Sequence, residues 1–248
     1  MGLSRRLFIG ASLSAATASV MAGANVAEAS ATKPQKWDKT VNVVIIGSGG
    51  AGLATAVSAA ENGVKDILVL EKLAFLGGNT AIATGAFNTA DPKQKEQGIE
   101  DSPELHAQQT LKGGDFRANP ELVNELTHNS YDTLTWLESK GVKFQPKILQ
   151  VYGALWPRSH ATAASKGSDY IRVLSEEAKK LGVTIQTQAK VVDIIRENQL
   201  SGRVLGVEYL NKDGQHVFVR ALKAVVACPG GFGANREMRS LHDPRLYN

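Results

Sequence analysis

The chain has a single cysteine, Cys228. One thiol closes no intrachain disulfide and builds no cysteine-based metal cluster, and without a Cys-x-x-Cys-His run no c-type haem is attached by that motif. The five histidines are scattered, with no His-Glu-x-x-His spacing for a metal-dependent hydrolase. Aromatics make up 6% of the 248 residues and never interleave with a basic cluster, so nothing points to nucleic acid. The formal charge is a mild +4, and setting aside two arginines (Arg5, Arg6) and one glutamate (Glu28) in the first thirty residues lowers it to +3. An apolar fraction of 43% is that of an ordinary globular protein. The length suits one large domain or two small ones.

What is present is one strong pattern. Val41-Asn42-Val43-Val44-Ile45-Ile46 is apolar and mostly β-branched, which predicts a buried parallel strand. Gly47-Ser48-Gly49-Gly50-Ala51-Gly52 follows, then a helical run from Leu53 to Asn62. A G-x-G-x-x-G turn between strand and helix is the dinucleotide-binding fingerprint. Gly47 permits the tight turn, Gly49 lets backbone approach a pyrophosphate, and Gly52 lets helix and strand pack closely. The helix N-terminus offers free N–H groups to the phosphates. Ile67-Leu68-Val69-Leu70 reads as the next parallel strand, closed by Glu71, 19 residues after Gly52 (71 − 52), where the fingerprint places an acid for the ribose hydroxyls. The fold class is therefore α/β, a Rossmann-like parallel sheet.

The first 29 residues have a different character. Ser4-Arg5-Arg6-Leu7-Phe8 precedes a run of small and apolar residues to about Val26, and Ala27-Glu28-Ala29 suits a signal-peptidase site. The run is too weakly apolar for a stable membrane anchor. It resembles a twin-arginine export signal, so residues 1–29 are expected to be a leader, 30–40 a linker and 41–248 the cofactor domain, exported to the periplasm.

Further motifs extend the pattern. Glu71-Lys72, Gly77-Gly78-Asn79-Thr80, Gly85-Ala86-Phe87-Asn88 and Gly230-Gly231-Phe232-Gly233-Ala234-Asn235 follow in order. With the fingerprint, they resemble the flavoprotein family of fumarate reductases and succinate dehydrogenases. The likeness is to its soluble branch, the flavocytochrome c-type fumarate reductases with urocanate and methacrylate reductases beside them. The resemblance implies FAD, with the pyrophosphate on Gly47, Gly49, Gly50, Ala51 and Gly52, and the ribose on Glu71 beside Lys72. It places Gly78, Asn79, Thr80 and Gly85 toward the flavin and a backbone group of Val191 at the adenine. Membrane-bound members carry a histidine in this loop region that bonds covalently to FAD. No histidine occurs between Glu71 and His106, so non-covalent FAD is expected. At Cys228-Pro229 the family has Ala-Thr, which puts in doubt any hydrogen bond from that threonine. Cys228 reads as a buried, inert thiol.

The implied reaction is reduction of an activated C=C bond in a small α,β-unsaturated carboxylate such as fumarate, methacrylate or urocanate. Electrons would come from a separate c-type cytochrome. The family continues well past the position of Asn248, through a mobile capping domain that carries the proton-donating arginine and the His and Arg residues gripping the carboxylates. The chain is accordingly expected to be the front part of a longer protein without the capping domain, and no catalytic residue is assigned in it. The rival readings are a ketosteroid dehydrogenase or aspartate-oxidase-like flavoenzyme, and a non-catalytic dinucleotide-binding module.

Elsewhere the pattern is structural. Asp91 to Asp101 is polar and reads as an exposed loop. Ser102-Pro103-Glu104 and Asn119-Pro120-Glu121 are helix starts. Leu122, Val123, Leu126, Leu134, Trp136 and Leu137 are spaced for one buried helical face ending at Gly141. His106 and His128 fall on these helices as surface or structural histidines. Arg158 and His160 have two open readings, beside the flavin and its cleft, or anchoring their loop on backbone carbonyls. A helix is expected from about Gly167 to Leu181, strands at 183–186 and 189–195, a hairpin of 202–209 with 215–220 around Asp213-Gly214, and a separate buried strand at 223–227. The three strands before that last one form an inserted β-meander.

Overall fold

The computed structural model describes Pro34 and residues 36–152, 154–198 and 201–247. The leader expected at 1–29 lies outside the described residues, as does most of the linker at 30–40. The first strand, β1, starts at Lys39 and runs to Ile46. It pairs in parallel with β2, Ile67–Leu70, in the register Val43↔Ile67 to Ile46↔Leu70. Every residue of β2 is buried, as befits a strand covered on both faces. Among the described residues one sheet has six strands. Its order is β5 (Thr184–Gln186), β2, β1, β8 (His216–Ala227), β7 (Ser201–Leu210), β6 (Lys190–Asn198). The first four run parallel and the last three form an antiparallel meander.

Alternate residues divide the sheet between two cores. Val43, Ile45, Ile67 and Val69 pack against α1 (Gly50–Glu61) and α5 (Ser168–Lys180), which contribute Leu53, Ala56, Val57, Ile171 and Leu174. Val44, Leu68 and Leu70 face the other way, onto Ala189, Val207, Tyr209 and Val219. The meander curls back over this second face. The Tyr209 hydroxyl accepts from Gln186 Nε2 at 2.9 Å, although β2, β1 and β8 separate their strands in the sheet order.

Four expectations are corrected. The helix after the fingerprint begins at Gly50, not Leu53, because the glycines lie in its first turn. The hairpin strand and the separate strand at 223–227 are one 12-residue strand, β8, antiparallel to β7 over 216–220 and parallel to β1 over 219–227. The polar residues Arg220 and Lys223 suggest a break there, but they sit on exposed positions of a continuous strand. Asp91 to Asp101 is not simply an exposed loop. Pro92–Gln97 forms a 3₁₀ helix closed by a capping box, in which the Asp91 side chain accepts from Lys93 N–H and Gln94 Oε1 from Asp91 N–H. Asp91 and Gln94 are buried.

The fourth correction concerns α4, Pro120–Lys140. Its start on Asn119 and its stop at Gly141 are as expected. Leu122 and Leu126, however, are 69% and 60% exposed. The buried stripe is Val123, Thr127, Ser130, Leu134 and Leu137. Two hydroxyl residues belong to it because their oxygens find partners inside: Ser130 Oγ bonds Thr89 Oγ1 at 2.7 Å, and Thr127 Oγ1 donates to Asn124 O. Helix α4 packs beside α3, Pro103–Gly113. Trp136 is half-buried against the first core and donates from Nε1 to Glu61.

This placement gives a contrast between two leucines on one helix. Leu134→Ala is expected to cost about 2–5 kcal/mol through a core cavity, whereas Leu126→Gln changes stability by less than about 0.5 kcal/mol. Urea unfolding midpoints of the two variants check it; equal losses would contradict the assigned face.

Candidate functional site

The C-terminal ends of β1 and β2 open onto two glycine turns. Gly47 has φ +99°, and a Cβ on it would lie 2.3 Å from the Cys228 carbonyl oxygen. A Cβ on Gly52 would lie 1.9 Å from the Gly47 carbonyl oxygen. No side chain fits at either position, so the fold itself requires both glycines. Gly49 is different. It caps α1 with φ −69° and ψ −175°, a conformation any residue adopts. The nearest neighbour of a Cβ there is the Gly77 oxygen at 3.7 Å, an ordinary contact. Nothing within the chain demands a glycine at 49.

The start of α1 has no side-chain cap and no acid in its first turn. Its N–H groups and positive dipole end therefore favour an anion. Gly50 N–H donates to Thr80 Oγ1 at 3.1 Å, while Ala51 is exposed. Glu71, just past β2, is buried. Its Oε2 accepts from Ser48 N–H at 3.0 Å and from the Ser48 hydroxyl at 2.7 Å, and its Oε1 accepts from Leu73 N–H at 2.9 Å. A carboxylate has about four acceptor sites, so Oε1 can take one more donor.

The second turn lies against the first. Gly77 N–H donates to Ser48 Oγ at 3.3 Å, and α2, Gly78–Ile82, follows. Gly78 and Asn79 are exposed and Thr80 is half-buried. Lys72 is exposed. Gly85 is buried, with its carbonyl accepting from the Tyr170 hydroxyl at 2.8 Å and from Thr162 N–H at 3.2 Å. Burial of Tyr170, with Asp169 nearby, raises that hydroxyl well above the usual phenol value. Val191 is half-buried at the start of β6, two residues beyond Ala189, whose N–H donates to the Glu71 carbonyl at 2.8 Å. The structure thus gathers Gly47 to Gly52, Glu71 and Gly77 to Thr80 at one end of the sheet. Val191 flanks the group and Gly85 is fastened one segment along.

Arg158 and His160 belong to a separate buried network. Arg158 Nε and Nη2 donate to both oxygens of Asp101 at 3.0 and 2.8 Å. His160 Nε2 meets Asp91 Oδ2 at 3.2 Å and its Nδ1 meets Arg158 O at 3.1 Å. Gln94 Nε2 donates to Asp101 and to Pro157 O. Of the two open readings, the structure supports anchoring, mainly on carboxylates. Arg158 immediately precedes β4 (Ser159–Ala161) and His160 lies on it; β4 pairs antiparallel with β3, Ala86–Asn88, so the network holds the segment after Gly85 in place. Cys228 is half-buried, not fully buried, with its sulfur 4.0 Å from Thr55 Oγ1.

Sequence reasoning missed Ser48, Asp91, Gln94 and Asp101. The Asp91-Pro92-x-Gln94 spacing is a capping-box signal that would have found two of them. Asp101 meets its partner 57 residues later, and no local signal marks that pairing.

A family model described as an FAD binding domain matches residues 42–247. The chain is 34% identical over 252 residues to the acrylate reductase flavoprotein subunit of Shewanella woodyi, covering 98% of this chain and 49% of that protein. It is 35% identical over 216 residues to the urocanate reductase of Eggerthella lenta, covering 86% and 35%. The open conformation of a flavocytochrome c3 fumarate reductase superposes with a TM-score of 0.79 at 29% identity, covering 86% of this chain and 37% of that one. The chain spans from about a third to about half the length of these relatives.

A further buried histidine feels the charges of Arg158 and Asp101. His106, on α3, is buried with Nδ1 unpartnered. Burial lowers its pKa below the ordinary 6.5, the Arg158 charge acts in the same direction, and Asp101 opposes them. The folded protein thus prefers the neutral ring, while the unfolded chain takes up a proton near 6.5. Stability from this group is full above that value. It falls as pH drops through 6.5 toward the lowered folded value. The unfolding midpoint is expected to fall between about pH 7 and pH 5, and His106→Leu to flatten that slope; equal slopes in both proteins would exclude His106 as its source.

Proposed function

The chain belongs to the FAD-binding domain family, and on that premise we propose that it supplies the FAD scaffold of an oxidoreductase that reduces the C=C bond of a small α,β-unsaturated carboxylate. The observation that carries the cofactor reading is Gly49. The position is bare although the chain leaves room for a side chain, and it stands beside an uncapped helix N-terminus. Close approach of a phosphate group explains both features.

The remaining residues fit the same group. Ala51 presents a backbone donor to the pyrophosphate beside Gly50, whose own N–H is held by Thr80 Oγ1, and the free capacity of Glu71 Oε1 suits a ribose hydroxyl. Lys72 flanks that acid, and a backbone group of Val191 lies toward the adenine. Gly78, Asn79, Thr80 and Gly85 line the way to the flavin, on a segment tied down by Tyr170 and Thr162. Bound FAD supplies the hydride chemistry. The protein's part is to bind, orient and exclude water. The lack of histidine between Glu71 and His106 supports non-covalent attachment. The names of the acrylate, urocanate and fumarate reductase relatives support the substrate class. The Arg5-Arg6 pair before a run of small and apolar residues supports a twin-arginine leader, and with it export to the periplasm in a folded, loaded state. A separate c-type cytochrome donor suits a chain without its own haem motif.

Gly49→Ala tests the cofactor site. Its unfolding midpoint is expected to match the parent's, while FAD binding weakens about tenfold or more, a loss of some 1.4 kcal/mol. Unchanged affinity would remove Gly49 from the site. The reaction is tested on the native protein from its source cells. Reduced viologen is expected to be oxidised on addition of one of fumarate, acrylate, methacrylate or urocanate; failure with all four sinks the reductase reading.

A further inference from the structure

We infer that Ser48 is a positioning residue for the dinucleotide, setting the Glu71 carboxylate so that Oε1 is left for the ribose. The inference rests on the reading of Glu71 as the ribose acid. Ser48 is the first of the two residues between Gly47 and Gly50, and it is fully buried. It occupies a position that the fingerprint leaves free.

The hydrogen bonds fix its role. A carboxylate only accepts and a backbone N–H only donates. The Ser48 hydroxyl proton must therefore go to Glu71 Oε2, at 2.7 Å, while its oxygen accepts from Gly77 N–H at 3.3 Å. The result is a directed chain from Gly77 N–H through Ser48 Oγ–H to Glu71 Oε2, in which each bond polarises the next. Ser48 N–H adds a second bond to the same oxygen at 3.0 Å. Oε2 is thereby occupied twice, and Oε1 only once, by Leu73 N–H. The carboxylate presents its one open site in a single orientation.

The backbone of this turn does not need the hydroxyl. Gly47 N–H already donates to Leu70 O at 2.8 Å, and Leu53 N–H to Gly49 O at 3.0 Å. What the hydroxyl adds is a link between three parts: the fingerprint turn, the acid after β2, and the Gly77 turn from which Asn79 and Thr80 project. Removing it leaves Gly77 N–H without this acceptor and lets the acid turn about its last torsion.

A double-mutant cycle on FAD affinity tests this, with Ser48→Ala, Glu71→Ala and the double variant, each checked for folding by its unfolding midpoint. If Ser48 acts through Glu71, Ser48→Ala weakens FAD about tenfold, the size expected for a bond to a charged acceptor. The same change then has less than about a twofold effect once Glu71 is alanine. A residue that merely stabilises the turn would lower affinity by the same factor in both backgrounds. That outcome, or no effect of Ser48→Ala at all, overturns the inference and leaves the Glu71 reading standing. If Glu71→Ala leaves FAD affinity unchanged, the ribose reading itself falls and this inference with it. Should Ser48→Ala not fold, Ser48→Cys keeps nearly the same volume while weakening both hydrogen bonds, and it carries the same cycle.

Discussion

Helix α1 meets the turn after β1 so closely that a single methyl group on Gly52 would overlap the Gly47 oxygen. The rest of the site depends on that approach. Close contact points the free N–H groups of α1 past the ends of the parallel strands. It also brings β8 alongside, because the Cys228 carbonyl occupies the space where a Gly47 side chain would be. Cys228 N–H in turn donates to Ile46 O at 2.9 Å, so the end of β8 is fixed to the end of β1. Larger residues at 47 or 52 would push strand and helix apart. The ligand-facing groups would lose their common origin.

The second constraint is polar. Asp91, Gln94, Asp101, Arg158 and His160 are buried together or nearly so, and each finds partners among the others. A buried ion pair contributes little net stability against an apolar replacement, yet losing one partner is costly. Its value here is geometric. It ties the 3₁₀ helix at Pro92–Gln97 to β4, and β4 pairs with β3 immediately after Gly85. The segment beyond the glycine turns is therefore held by charged groups whose partners are fixed, together with the packing of Phe87 on the first core.

The sheet ends and the glycine turns were legible because their signals are local. Five apolar residues in the first strand, three spaced glycines and an acid 19 residues on lie within one 31-residue stretch (71 − 41 + 1). The same applies to the caps Ser102 and Asn119. What was not legible is non-local or polar. Thr127 and Ser130 on the buried stripe of α4 look like surface until Thr89 supplies a partner for Ser130 and Asn124 O one for Thr127. The Asp101–Arg158 pair joins segments with no common pattern. Strand β8 reads as two strands because its middle serves two neighbours at once, antiparallel β7 and parallel β1, and its exposed charges interrupt the apolar run.

Glycines in one motif can be separated by asking what each would strike. Gly47 and Gly52 would strike this chain's own backbone, so the fold accounts for them and they say little about a ligand. Gly49 would strike nothing closer than 3.7 Å, so the described part of the chain gives no reason for its smallness. A similar separation applies to the two acidic sites. Both oxygens of Asp101 are engaged by Arg158, with Gln94 and Ser102 adding donors, and they have internal work enough. Glu71 is held by two donors on Oε2 and one on Oε1, and keeps acceptor capacity on Oε1. A buried carboxylate with one open site, at the mouth of a turn whose bare glycine the fold does not need, has the form of a binding group. The Asp101 carboxylate, closed on all sides, has the form of an anchor.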